Sequence, residues 1–118
     1  MDVPGLAIKL PSGEWFSPPL IENTFLVNIG NIVKRMSNDV FRSTPHGVIV
    51  EGDRDRYSLA YFHSPNPYRI IAVLDSFINP SVGPNYEPAL YADLIKEFFA
   101  ANYSHQNNHG KIAIKNRY

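Results

Sequence analysis

The chain of 118 residues contains no cysteine, which excludes a disulfide framework and any thiolate metal site. Its longest apolar runs are too short to cross a bilayer as a helix. The N-terminus lacks the basic-then-apolar order of a secretion signal. Eleven Lys and Arg balance eleven Asp and Glu, for a formal net charge of +0, and neither sign is gathered into a block. Composition therefore gives no support for binding to nucleic acid or to a membrane surface. There is no internal repeat, low-complexity tract, glycine-rich phosphate loop, Walker motif or nucleophile elbow. Glu87, Asp93 and Glu97 show no paired-carboxylate arrangement for acid–base work. The expectation is a soluble, cytoplasmic protein of one domain or part of one.

What is present is β-type. Ten prolines argue for many turns and against a helical bundle, and seven Phe, seven Tyr and one Trp suit half-buried strands. Gly5 to Leu10 reads as a strand, Pro11-Ser12-Gly13 as a turn, and Glu14-Trp15-Phe16 as the returning strand. Thr24 to Ile29 is β-branched and aromatic, the clearest strand in the first third. Ile32 to Met36 reads as a short helix with Ile32, Val33 and Met36 inward, and Val40 to Ser43 as a strand. Tyr68 to Leu74 is a further apolar strand. From Ala89 to Asn102, Leu90, Leu94 and Phe98 recur at i+4 beside Tyr91, Ile95 and Phe99, an amphipathic helix whose broad stripe should pack on a sheet. Residues 1–103 form the expected domain. Residues 104–118 form a polar tail, in which Ile112-Ala113-Ile114 could add an edge strand. The fold class expected is mainly β, a sandwich or barrel with a C-terminal amphipathic helix.

The chemistry concentrates between Thr44 and Phe62. Two strands flank the polar turn Gly52-Asp53-Arg54-Asp55, His46 opening the first and Arg56 and Ser58 the second. Side chains alternate along a strand, so Arg56, Ser58, Ala60 and Phe62 share a face. A guanidinium fork beside a neutral hydroxyl suits a carboxylate, and a neutral imidazole on a neighbouring strand suits a divalent metal. Simpler readings stand beside these. His46 could cap a strand start. Arg56 could pair with Asp53 or Asp55 at the surface, where such pairs are worth roughly 0–1 kcal/mol.

A histidine, an arginine ten positions on and a serine two further resembles the pattern of the isopenicillin-N-synthase-like Fe(II)/2-oxoglutarate-dependent dioxygenases. Gly5-Leu6-Ala7-Ile8, Ser12-Gly13-Glu14-Trp15, Leu26-Val27-Asn28-Ile29-Gly30, Phe41-Arg42-Ser43-Thr44-Pro45-His46 and Arg56-Tyr57-Ser58-Leu59 fall in that family's order. The resemblance implies the C-terminal part of a double-stranded β-helix, or jelly roll. It implies His46 as an Fe(II) ligand, and Arg56 and Ser58 as the holders of the distal carboxylate of 2-oxoglutarate, the co-substrate. It implies oxidation of a small organic substrate coupled to 2-oxoglutarate decarboxylation.

One part of the family pattern has no counterpart. The resemblance implies an iron site of two histidines and one carboxylate, with a His-x-Asp pair upstream of the Gly-Leu strand. Asp2 has no histidine two positions before it, so one of three ligands is present and this chain alone is expected not to turn over. Asn28 reads either as part of the site wall, by resemblance, or as the end of a strand. Phe62 reads as core or as pocket border, with core packing favoured. His63 falls on the face opposite Arg56 in a regular strand. His105 and His109 are i, i+4, but Asn107, Asn108 and Gly110 argue against a helix there. Two alternatives to an enzyme are a truncated jelly-roll module that self-associates or binds a partner through exposed sheet edges, and the product of a broken gene.

Overall fold

A computed structural model describes residues 5–49 and 55–103. The turn at 52–54 and the tail from Ser104, with His105, His109 and the strand expected at 112–114, lie outside the described residues. The chain divides into two units: the described parts of Met1–Ser64 with Ala72–Glu87, and of Pro65–Ile71 with Pro88–Tyr118. Among the described residues strands are the most numerous elements, five against two α-helices, and all are short.

In the first unit, β1 (Leu6–Lys9) is the centre of a three-stranded sheet. It turns back into β2 (Trp15–Phe16), with Ile8 opposite Phe16 and Lys9 opposite Trp15. The turn closes where Leu10 N donates to the Glu14 carbonyl at 2.8 Å and Gly13 N to the Leu10 carbonyl at 2.9 Å. Gly13 sits at φ +93°, a conformation that a Cβ resists. On its other edge β1 pairs antiparallel with β3 (His46–Val48), Leu6 opposite Val48, Ala7 opposite Gly47 and Ile8 opposite His46. The ladder extends one step beyond each end, through Lys9 N to the Pro45 carbonyl and Ile49 N to the Gly5 carbonyl. Ala7, at the middle of the sheet, is buried.

Helix α1 (Asn31–Met36) starts after the extended Gly30. Ile32 and Met36 are half-buried, but Val33, expected to face inward, is exposed. The chain leaves α1 through Ser37, Asn38 and Asp39, the last two at φ +52° and +71°. Polar residues with short side chains tolerate this left-handed region best. Ser37 is buried and its hydroxyl bridges the Lys34 carbonyl and the Phe41 amide at 3.1 and 3.0 Å. Leu74 N donates to the Met36 carbonyl at 2.9 Å, ahead of a 3-10 turn at Asp75–Phe77.

Three strands expected from the sequence are absent. Residues 24–29, 40–43 and 57–63 are not assigned to strands, and no ladder joins them to other described residues. A β-rich composition defines a strand only when a neighbour supplies the hydrogen bonds, and an isolated ribbon is not stable in water. The hairpin expected between the His46 strand and the Arg56 segment is not seen among the described residues: β3 pairs with β1, and residues 55–63 hold no strand. Phe62, expected in the core, is 84% exposed, as are most of its large apolar neighbours.

In the second unit, β4 (Ile70–Ile71) pairs antiparallel with β5 (Ala89–Leu90), Ile70 opposite Leu90 and Ile71 opposite Ala89. The strand expected over 68–74 is thus reduced to two residues. The expected helix starts two residues late, because Ala89 and Leu90 are taken into the ladder. Helix α2 (Tyr91–Tyr103) follows, its first turn held where Tyr91 N and Ala92 N donate to the Arg69 and Pro67 carbonyls at 2.9 and 3.1 Å. Ile71 and Tyr91 are buried and Leu94 and Ile95 half-buried, while Phe98 and Phe99 stay exposed. The broad apolar stripe is therefore only partly covered. Among the described residues no helix is long and apolar enough to cross a membrane.

Candidate functional site

His46 opens β3 opposite Ile8, and the sheet register puts His46, Val48, Leu6 and Ile8 on one face. Its ring is exposed. Nδ1 lies 3.1 Å from the Thr44 carbonyl oxygen and 3.2 Å from the Asn28 side-chain nitrogen Nδ2. Both contacts fall on the same ring nitrogen, Nδ1, and not on Nε2. A metal-binding histidine typically has its second nitrogen anchored in this way.

Arg56 is half-buried in a segment without regular structure. Its guanidinium Nη1 donates to Ser58 Oγ at 3.3 Å. The i, i+2 spacing therefore does bring the two side chains together. Ser58 accepts this bond on an oxygen lone pair, which leaves its own proton for another acceptor. Arg56 reaches the sheet at Gly5, where a Cβ would sit 2.5 Å from Arg56 Nε, 2.8 Å from its Cδ and 2.8 Å from the Ile49 carbonyl oxygen. Only glycine leaves room there for the guanidinium stem. Gly5 is bonded to Ile49, three residues along the strand from His46, or about 10 Å of extended chain. Sequence reading counted Gly5 as a strand start and missed this role. A glycine immediately before an apolar strand was the available signal.

The donor set fits one cofactor better than the other. A planar cation beside a hydroxyl with a free proton fits a carboxylate such as the far end of 2-oxoglutarate. For iron, the described residues contain no group of three or more His, Cys, Asp or Glu able to hold a metal. His46 fits as one contributor to a site whose other donors are not among the described residues. His63 is exposed, with its ring 6.4 Å from that of Tyr61.

A second polar cluster escaped the sequence reading. Asp39 accepts from the Tyr86 hydroxyl at 2.6 Å and the Asn85 amide at 3.1 Å, and pairs with Lys34 at 3.5 Å. Asn38 accepts from Asn85 N at 2.8 Å and donates to the Phe77 carbonyl at 3.2 Å. The Arg35 guanidinium lies 4.9 Å from the centre of the Tyr86 ring and bonds the Glu87 carbonyl. Chiefly through the Tyr86 bond, the Asp39 carboxyl is held below its ordinary value, and the same bond raises the Tyr86 hydroxyl. The cluster ties residues 77–87 to the turn after α1. The 46 to 47 positions between partners hid it from any local pattern.

Residues 1–65 match the family described as the 2OG-Fe(II) oxygenase superfamily, and the chain belongs to it. The family is defined by iron(II) and 2-oxoglutarate, which agrees with the expected cofactor pair. The chain is 31% identical over 103 residues to "2-oxoglutarate-Fe(II) type oxidoreductase hxnY" of Emericella nidulans, covering 86% of this chain and 30% of that protein. It is 35% identical over 96 residues to "Feruloyl CoA ortho-hydroxylase 1" of Arabidopsis thaliana, covering 80% and 27%. Among solved structures, a full-length Neurospora crassa protein in complex with alpha-KG and thymine superposes with a TM-score of 0.73 at 32% identity, over 85% of this chain and 32% of that one. The 118 residues thus span about 30% of the length of the curated relatives they match.

Proposed function

We propose that the chain is the C-terminal part of an Fe(II)- and 2-oxoglutarate-dependent dioxygenase that oxidises a small organic substrate. In this reading residues 1–103 are the later strands and helix of a jelly roll, and 104–118 are a tail. Arg56 and Ser58 hold the far carboxylate of 2-oxoglutarate, and His46 supplies one iron ligand through Nε2. Iron and co-substrate, when bound, supply the oxidising chemistry. The chain's own residues orient the co-substrate and fix one ligand. The other histidine and the carboxylate come from polypeptide beyond these residues. The observation that carries the reading is the Arg56–Ser58 pair laid over the bare backbone of Gly5.

The test is saturation-transfer NMR of the full chain with 2-oxoglutarate in the absence of metal. The reading expects transfer to 2-oxoglutarate, competition by glutarate, and loss in Arg56→Ala. No transfer, or transfer unchanged in Arg56→Ala, overturns the clamp. Iron-dependent succinate formation by this chain alone, lost in His46→Ala, would overturn the claim that further ligands are required.

The exposed apolar side chains support a second reading. Phe25 and Leu59 are 97% and 98% exposed, with Val27, Tyr61 and Phe62 above 80%. Soluble proteins seldom leave so many large apolar groups uncovered. A non-catalytic module would cover them by self-association or by a partner protein, and sedimentation would show a concentration-dependent dimer. A strictly monomeric, well-folded chain counts against it.

A further inference from the structure

Two hydrogen-bonding groups meet at one nitrogen of His46. Nδ1 is 3.1 Å from the Thr44 carbonyl oxygen and 3.2 Å from the Asn28 amide. A neutral imidazole nitrogen carries either a proton or an in-plane lone pair. The Thr44 carbonyl can only accept, so it requires the proton on Nδ1; otherwise two lone pairs would face each other. Asn28 is the partner that can adapt, because a half-turn of its amide exchanges donor for acceptor at nearly the same place. With its Nδ2 toward the ring, as placed in the structure, it sets donor against donor once Nδ1 carries the proton. With its oxygen toward the ring, it shares the Nδ1 proton with Thr44. One assignment satisfies all three groups.

We propose that Asn28 is a positioning residue for His46. Through its amide oxygen, and together with the Thr44 carbonyl, it keeps the proton on Nδ1 and so leaves the Nε2 lone pair for a divalent cation. An imidazole binds metal through its unprotonated nitrogen, and the hydrogen bond at the other nitrogen decides which one that is. Asn28 lies 18 residues before His46, in a segment with no ladder to other described residues, so the contact also ties that segment to β3. The use of Nε2 rests on reading His46 as an iron ligand; the proton's location does not.

The experiment is two-bond 1H–15N correlation NMR of the full chain with 15N-labelled histidine, above the ordinary histidine pKa of about 6.5. His46→Gln identifies the His46 signal among those of the four histidines. The wild-type ring is expected mainly in the Nδ1–H form. Asn28→Leu, similar in size but unable to accept, lowers the ratio of Nδ1–H to Nε2–H roughly five-fold. Asn28→Asp, which can only accept, preserves it. A wild-type ring mainly in the Nε2–H form overturns the proposal. So does a ratio unmoved in Asn28→Leu. If that variant does not fold, Asn28→Asp decides: the ring stays in the wild-type Nδ1–H form if Asn28 already accepts, and a ring that turns from Nε2–H to Nδ1–H in this variant shows that the NH2 donates and overturns the proposal. Cobalt(II) added to the same sample separates the two claims. Tautomers behaving as stated without paramagnetic broadening at His46 remove the ligand reading and leave the positioning role standing.

Discussion

Gly5 and Arg56 share one space: a Cβ on Gly5 would lie 2.5 Å from Arg56 Nε. Real side chains do not approach so closely, and the Ile49 carbonyl closes the other side at 2.8 Å. Gly5→Ala should therefore displace Arg56 and shift backbone. The expected cost is about 1–3 kcal/mol, read as a lower urea midpoint with an unchanged slope, and saturation transfer to 2-oxoglutarate should fall with it. A variant as stable as the parent and still in contact with 2-oxoglutarate would show that Arg56 does not need this space.

Arg56→Lys keeps the charge and removes the fork. A lysine ammonium is a point charge with no bidentate geometry, so binding of 2-oxoglutarate should weaken roughly ten-fold or more. Ser58→Ala removes one neutral donor and should cost roughly five-fold. Titration of the carboxylate signals of labelled 2-oxoglutarate measures both. Equal loss in the two variants would mean that the fork contributes no more than the single neutral hydroxyl.

The Asp39 cluster gives a pH dependence. The folded carboxyl ionises below its ordinary value, mainly because Tyr86 donates to it. Its contribution to stability is present above the ordinary Asp value and is lost as pH falls through the depressed folded value. Tyr86→Phe should return Asp39 toward ordinary behaviour and move acid unfolding to higher pH. An NMR titration of the Asp39 carboxyl checks the first effect and near-UV circular dichroism the second. An Asp39 titration unchanged in Tyr86→Phe would contradict the assignment of cause.

The uncovered apolar groups predict a surface response. Leu59→Lys and Phe25→Lys should lower self-association, measured by sedimentation velocity, with little loss of stability, because both side chains are almost fully exposed. Marked destabilisation of either variant would mean that these side chains are covered.

What could be read from the sequence was local. The Pro11-Ser12-Gly13 turn, β1 beside it, α1 after Gly30 and the periodic α2 each carry their signal within a few residues. His46 at a strand start and Arg56 beside Ser58 follow from spacing of the same kind. Pairing was not legible. Thr24 to Ile29 has strand composition but no ladder with other described residues, and β3 pairs with β1 while residues 55–63 form no strand. Ala89 and Leu90 fit the helical period yet join β4, because an open strand edge outweighs a helix propensity of a few tenths of a kcal/mol, ~0.5 at most. Gly5 against Arg56, Asn28 against His46 and Asp39 against Tyr86 join residues far apart in the chain, and no window of sequence contains both partners.

The central claim is that these residues carry the co-substrate clamp and one iron ligand of an oxygenase whose remaining ligands lie upstream. Sequencing the transcript and coding DNA immediately before Met1 tests it most directly. The account predicts an open frame continuous with Met1 that encodes a His-x-Asp pair a short way before Gly5. An in-frame stop codon with no such pair between it and Gly5 would contradict it.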